Sequence, residues 1–330
     1  MKVPKKVYRF RSLDDAILKR EFDALKGSYL YAPSFPQMND PMEAFYETGG
    51  FEDKYVDSVL SSSGQTIKDF YRLIESTVDQ FGLVSFASTH EALPLWAYYA
   101  DNFAGICLEF STQHLSMGDF WNEKFRKVTY VRKPAPPIGF NDLGPTRLEE
   151  ALISRLCRKR IEWSHENEWR FVTGGVGCKH YLEDALQCVY LGPRIEKENA
   201  DEICNIFKRR PVTVMQGFVR GYELKFETLQ TATPLEECER VGGGYFDPAR
   251  DIFDEQELRE FLGGAYNKLV EELRTIALQP NMEQFSGVGI STFHHGIIYL
   301  NVMYKLRNGH DVYRPMHFDK KMKVRIPTQN

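Results

Sequence analysis

The sequence predicts an α+β fold: mixed and antiparallel sheets with flanking helices, then a C-terminal helix and a three-stranded β-meander. Three observations predict it. Short alternating or apolar runs that read as strands recur along the whole chain, set between segments of helical spacing. Strands and helices alternate, but without the regular strand–helix–strand rhythm of a parallel sheet. Past a seam rich in Pro and Gly, one long helical segment leads into three further strands.

Val7-Tyr8-Arg9-Phe10 alternates and reads as the first strand. Ser12 is placed to cap a helix over 13–25, with Asp14 and Asp15 in the first turn, where the helix dipole favours acids. Gly27 stops that helix, and Tyr29-Leu30-Tyr31-Ala32 is a second strand. Residues 33–41 form a loop ending in Asn39-Asp40-Pro41, and a mostly helical stretch over 53–80 is broken by Ser61-Ser62-Ser63-Gly64. Strands follow at 83–87, 105–110 and 127–132, with an aromatic helical turn over 95–99. A Pro- and Gly-rich surface loop over 133–146 precedes a basic amphipathic helix over 148–161. Strands are expected at 168–173, 187–191, 212–216 and 221–228, with a helix over 199–209.

The seam lies near 231–244, where Pro234, acidic residues and Gly242-Gly243-Gly244 cluster. It separates an α+β unit over 1–232 from an accessory unit over 240–330. The triple glycine reads as a linker, since no strand leads directly into it as a phosphate cradle requires. Beyond it, one helix is expected over 254–278 despite Gly263-Gly264, then strands at 286–293, 296–306 and 311–318. Asn308-Gly309 is a favourable two-residue hairpin turn for the last pair.

Composition narrows the function classes. A net charge of -4 over 330 residues gives no whole-chain sign of nucleic-acid or membrane binding. The local basic clusters, Arg155, Arg158, Lys159 and Arg160, then Lys208, Arg209 and Arg210, read as solvated helix faces. No run approaches the roughly 20 apolar residues of a membrane helix. The basic N-terminus leads into no apolar segment, so no secretory signal is read. Six scattered cysteines without a C-x-x-C pair argue against a zinc ribbon or a disulfide framework, and a cytoplasmic location is expected. No zincin or P-loop motif is present.

The run from Trp163 to Val172 carries the strongest chemical signal. Glu166 and Glu168 stand two apart, between two tryptophans and just before a strand-like stretch. On an extended chain they share one face, where repulsion and lost solvation raise at least one pKa. Active sites hold such groups more often than structural positions do.

Several segments occur in a telling order: Tyr8-Arg9-Phe10-Arg11, Asn39-Asp40-Pro41-Met42-Glu43, Val84-Ser85-Phe86, Leu95-Trp96-Ala97-Tyr98-Tyr99-Ala100, Gly105-Ile106-Cys107-Leu108-Glu109 and Trp163-x-x-Glu166-x-Glu168-Trp169-Arg170. Over about 7–230 the chain thereby resembles the bacterial domain-of-unknown-function family 2971. That resemblance implies no settled activity. A weaker similarity, to the mono-ADP-ribosyltransferase fold, implies NAD as substrate. It gives Arg9 or Arg11 on the first strand the NAD diphosphate or ribose. It gives Ser85, with Ser88 and Thr89, the nicotinamide pocket, Glu168 the catalytic carboxylate, and Glu166 the acceptor side. Trp96, Tyr98 or Tyr99 would stack on nicotinamide, and Asp40 would stand at the cleft mouth with Glu43. The expected activity is ADP-ribosyl transfer or NAD glycohydrolysis, in a toxin or phage-defence effector with a protein or nucleic-acid acceptor.

Each residue also has a structural reading. Arg9 and Arg11 suit an edge strand, Ser85 a strand interior, the aromatics a core, and Asp40 an Asx turn before Pro41. Glu168 suits an ion pair with Arg170 or Arg160. Two other functions stay open. One is a non-catalytic nucleotide- or protein-binding module, with the β-meander forming a homo-oligomer by edge pairing. The other is a metal-dependent nuclease drawing on Asp40, Glu43, Glu109 and Glu168.

Overall fold

The computed structural model describes residues 3–322 apart from 39, 41, 43–46, 48–57, 59, 60, 63, 65, 122, 140, 141, 143 and 253. The architecture is α+β, with helices and several separate sheets. A five-stranded sheet runs in the order β1 (Lys6–Arg11), β4 (Ile106–Ser111), β10 (Leu186–Leu191), β11 (Thr213–Arg220), β12 (Glu223–Gln230). Within this sheet only β10 and β11 pair in parallel. A second, antiparallel sheet places β8 (Trp169–Thr173) between β3 (Gly82–Phe86) and β5 (Lys124–Lys127). Two small pairs complete this part: antiparallel β2 (Tyr29–Ala32) with β9 (Gly177–His180), and parallel β6 (Thr129–Val131) with β7 (Arg158–Arg160).

Strand alternation assigns the core. Val7, Leu108, Val189 and Val214 of the large sheet meet Val84, Phe86 and Phe171 of the second sheet in one apolar cluster. The helices Leu18–Gly27 and Lys197–Phe207 add Leu25, Ile203 and Phe207. On the opposite face of the large sheet, Phe10 and Cys107 pack under Trp96. The helices Ile67–Asp79 and Pro145–Leu156 cover Leu83 and Val172 on the outer side of the second sheet. The two sheets meet at an isolated bridge, Tyr8 to Ala87, closed by two backbone hydrogen bonds of 3.0 and 2.6 Å.

The C-terminal sheet is the expected meander: β13 (Met282–Ile290), β14 (Ile297–Lys305) and β15 (Asp311–Asp319), all antiparallel. Ile298, Leu300, Val302 and Tyr304 of β14 pack with Leu258, Leu262, Leu269 and Leu273 of the preceding helices. Gly242 and Gly244 lie tight against the backbone of Met282 and Glu283, where a Cβ would come within 2.2 and 2.1 Å of carbonyl oxygens.

Several elements differ from their sequence expectation. Ser12 caps a separate turn, its Oγ accepting from Asp14 N–H, and the helix begins only at Leu18. The expected helix over 254–278 is two, Glu255–Leu262 and Tyr266–Ala277, because Gly263 takes a φ of 53° that breaks the ladder. The expected strand over 127–132 is split into β5 and β6. The basic helix over 148–161 stops at Leu156, and its expected end is β7 followed by a 3₁₀ segment, Ile161–Glu166. Much of the expected helical stretch before Ile67 lies outside the described residues.

Candidate functional site

Beyond the Tyr8–Ala87 bridge, a cavity of about 480 Å³ opens between β1, β3, the helix Leu18–Gly27 and the segment around Glu166 and Glu168. That volume lies within the roughly 300–1,000 Å³ of ligand pockets. Its charged lining comprises the cations Arg9, Arg11, Arg20 and Lys159 and the carboxylates Glu21, Glu166 and Glu168. Four cations against three carboxylates leave a positive surplus.

The structure brings Arg9, Arg11, Ser85, Tyr99, Glu166 and Glu168 to this one cavity, from four separate segments of the sequence. Alternation on β1 turns Arg9 and Arg11 to the cavity side, with Phe10 in the opposite core. Arg9 donates Nη1–H to Ser85 O at 3.0 Å and has no carboxylate partner among the described residues. Burial pulls its guanidinium down to about 9, which leaves it charged at neutral pH. Arg11 is committed instead: it grips Glu21 through both Nε (2.7 Å) and Nη2. Burial opposes the Glu21 charge, but Arg11 outweighs it and holds that carboxyl below its ordinary value.

The acid pair is organised differently from an extended strand. Glu166 ends the 3₁₀ segment, Asn167 turns left-handed at φ 44°, and Glu168 precedes β8. The turn is pinned by Ser88 Oγ donating to Asn167 O (2.7 Å) and by Glu168 N–H donating to Tyr130 Oη (2.8 Å). Arg170, with no solvent exposure, grips Glu168 in a two-pronged contact of 2.7 and 3.0 Å and donates its third nitrogen to Leu156 O. Tyr99 Oη–H donates to Glu166 Oε1 at 2.7 Å. Lys159 Nζ lies 2.6 Å from Glu166 Oε2 and 3.5 Å from Glu168 Oε2.

Burial pushes the Glu168 carboxyl up to about 7, while Lys159 and the Ser85 hydroxyl favour its charged form and Glu166 opposes it. The two-pronged Arg170 contact also favours the carboxylate. Burial lowers Arg170 to about 9, still cationic at neutral pH.

Three residues expected at the site lie elsewhere. Trp96 is fully buried in the core behind β1, edge-on to Phe10, with Nε1–H donating to His90 O. Tyr98 is 67% exposed and faces His165. Of the three aromatics only Tyr99 turns to the cavity, one helical turn after Leu95, which lines it too. Asp40 is buried outside the lining and accepts Met42 N–H at 2.9 Å, the Asx-turn geometry. Glu43 lies outside the described residues. Glu109 is on the opposite face of the large sheet, bound by Lys6 and Tyr190, so the acids considered for a metal are not gathered. Among the described residues no group of three or more His, Cys, Asp or Glu is placed to hold a metal ion.

Sequence reasoning missed Lys159, Glu21 and Arg20. Lys159 is 7% exposed, although it sits in a basic cluster read as a solvated face. Arg155 and Arg210, read the same way, are buried as well, and both donate to backbone carbonyls.

Residues 95–171 match the family model described as Protein of unknown function (DUF2971). The match spans the Trp96–Tyr99 block, the Gly105–Glu109 block and the acid pair, so the resemblance to that family holds over the segment carrying Lys159, Glu166 and Glu168 of this cavity's charged groups. No curated protein and no solved structure matches the chain. No described helix is long and apolar enough to cross a membrane.

Proposed function

We propose that the chain is an NAD-using enzyme of ADP-ribosyltransferase type. It cleaves the nicotinamide–ribose bond and passes ADP-ribose to a protein or nucleic-acid nucleophile, or to water as a glycohydrolase. The observation that carries this reading is the shared cavity of Arg9, Ser85, Glu166 and Glu168. Its positive surplus suits a diphosphate, and Arg9, without a carboxylate of its own among the described residues, is the cation available to grip it. Cleavage builds positive charge on the ribose, which a carboxylate at the wall stabilises. Glu168 takes that role and Glu166 the acceptor side. Tyr99 offers its ring to nicotinamide. The rate gain would come from positioning and fixed charges.

The test is nicotinamide release from NAD by the purified chain, alone and with protein or nucleic-acid acceptors. The reading predicts release by the wild type and little by Glu168→Gln; equal rates for the two would sink it. An effector role as toxin or phage-defence factor predicts growth arrest on expression of the wild type and none with Glu168→Gln.

One observation favours a second reading, a non-catalytic nucleotide-binding module. Both Glu168 oxygens already accept from Arg170, and Lys159 stands near one of them. That module binds NAD without turnover, equally well with Gln at 168. Assembly through an edge of the β13-β14-β15 sheet would accompany it.

A further inference from the structure

We propose that Lys159 is a positioning residue: the internal counter-ion that draws Glu166 and Glu168 together toward their charged forms on the cavity wall. The inference rests on the proposed function for its consequence in turnover, but its structural basis is independent of any ligand.

Two carboxylates this buried and this close repel, and the ordinary outcome is that one takes a proton. A carboxylic acid at 168 would not stabilise a developing ribosyl cation. The geometry supplies a cation to each acid. Arg170 serves Glu168 from the strand side, and Lys159 serves Glu166 at 2.6 Å while reaching Glu168 at 3.5 Å. Among the described residues Lys159 is therefore the one cation in ion-pair contact with both. Burial works against its ammonium, but Glu168 and Glu166 outweigh that cost and hold it above its ordinary value.

Its placement follows from the local fold. The helix ends at Leu156, and parallel pairing of β7 with β6 sets Lys159 opposite Tyr130. The Lys159 side chain turns inward, over the Trp163 ring at 5.0 Å, between neighbours Arg158 and Arg160 that are more exposed. Among the described residues, the other groups facing the acids are Tyr99 on Glu166, the Ser85 hydroxyl on Glu168, Tyr130 at the Glu168 backbone, and Arg9 and Cys157 acting on Glu168 at longer range, with Asp40 near Arg170. Arg9 and Arg170 are the cations among these. Neither is in contact with Glu166, so no other described residue replaces Lys159 there.

The test is a carboxyl titration that needs no substrate. ¹³C-carboxyl NMR on Glu-labelled protein would compare wild type, Lys159→Met and Lys159→Arg. With Met, one of the two carboxyls should titrate at least about one pH unit higher than in the wild type. Arg should restore the wild-type midpoint, and Lys159→Gln serves in place of Met if that variant does not fold. Unchanged midpoints in the Met or Gln variant would overturn the proposal. The nicotinamide assay then separates the two ideas. Absent turnover in wild type refutes the enzymatic reading and leaves the titration result standing. If turnover is present, the acid limb of its pH profile should move up in Lys159→Met and not in Lys159→Arg. A loss of activity at every pH with no such movement counts against the proposal.

Discussion

Replacing Arg170 by Met tests the charge network behind the cavity most severely. Arg170 has no solvent exposure, and Glu168 is 4% exposed. The substitution removes both hydrogen bonds of the two-pronged contact and the donor to Leu156 O. Breaking a buried pair and leaving one charge behind costs about 3–5 kcal/mol, and an orphaned carbonyl adds about 1 kcal/mol or more, not strictly additively. Glu168 can escape part of this by taking a proton. In the wild type its carboxyl is already raised from 4.5 to about 7 by burial. A carboxyl raised on folding contributes stability that is complete below its unfolded value and is lost as pH rises through its folded value. Without Arg170 the folded value rises further, so the variant's deficit grows with pH. From about pH 8 down to about pH 7, about 1.4 kcal/mol of it should be recovered, and below that wild type and variant change alike. Urea unfolding followed by tryptophan emission reads this directly, because Trp169 stacks on Phe125 in the same sheet. A deficit below about 1 kcal/mol, or one equal at both pH values, would refute the assignment of Glu168 as a carboxylate held charged by Arg170.

Glu183 is 2% exposed and accepts from Ser28, Arg210 and Arg307, so Glu183→Gln should cost about 3 kcal/mol in thermal or urea unfolding; an unchanged midpoint would show the three donors find other partners. Gly105→Ala should destabilise by about 2 kcal/mol or more, because a Cβ there meets Arg11 O at 2.2 Å and the Ala100 backbone at 2.9 Å, and neither is a flexible group that can yield. The same variant should also weaken NAD binding, since Arg11 O lies on the strand that carries Arg9.

Much of the fold was legible because burial leaves a period. The strands at 106–111, 169–173, 186–191 and the three C-terminal strands alternate or run apolar, and their positions follow from that. The helix over 148–161 did not end where its pattern suggested, because three residues of strand are too few to show a period of two. The charged run Arg158-Lys159-Arg160 also resembles a solvated face, though its middle residue is buried. The acid pair was legible, but the cause of its shared face was not: a left-handed Asn167 and Lys159 bring the two together, where an extended chain was expected. Trp96, Tyr98 and Tyr99 could not be sorted from sequence, since a helix must be placed against a sheet before adjacent residues divide into core, solvent and cavity. The Cβ clash at Gly105 gives the Gly of the Gly105–Glu109 block a structural reason that no spacing reveals.

On the proposed function, the cavity between β1 and β3 takes an anionic nucleotide through Arg9. Calorimetric titration of the wild type and Arg9→Met with NAD tests it most directly. Saturable binding by the wild type is expected, weakened about tenfold or more by Arg9→Met and reduced by added salt. No heat with the wild type, or equal affinity in the two proteins, would contradict it.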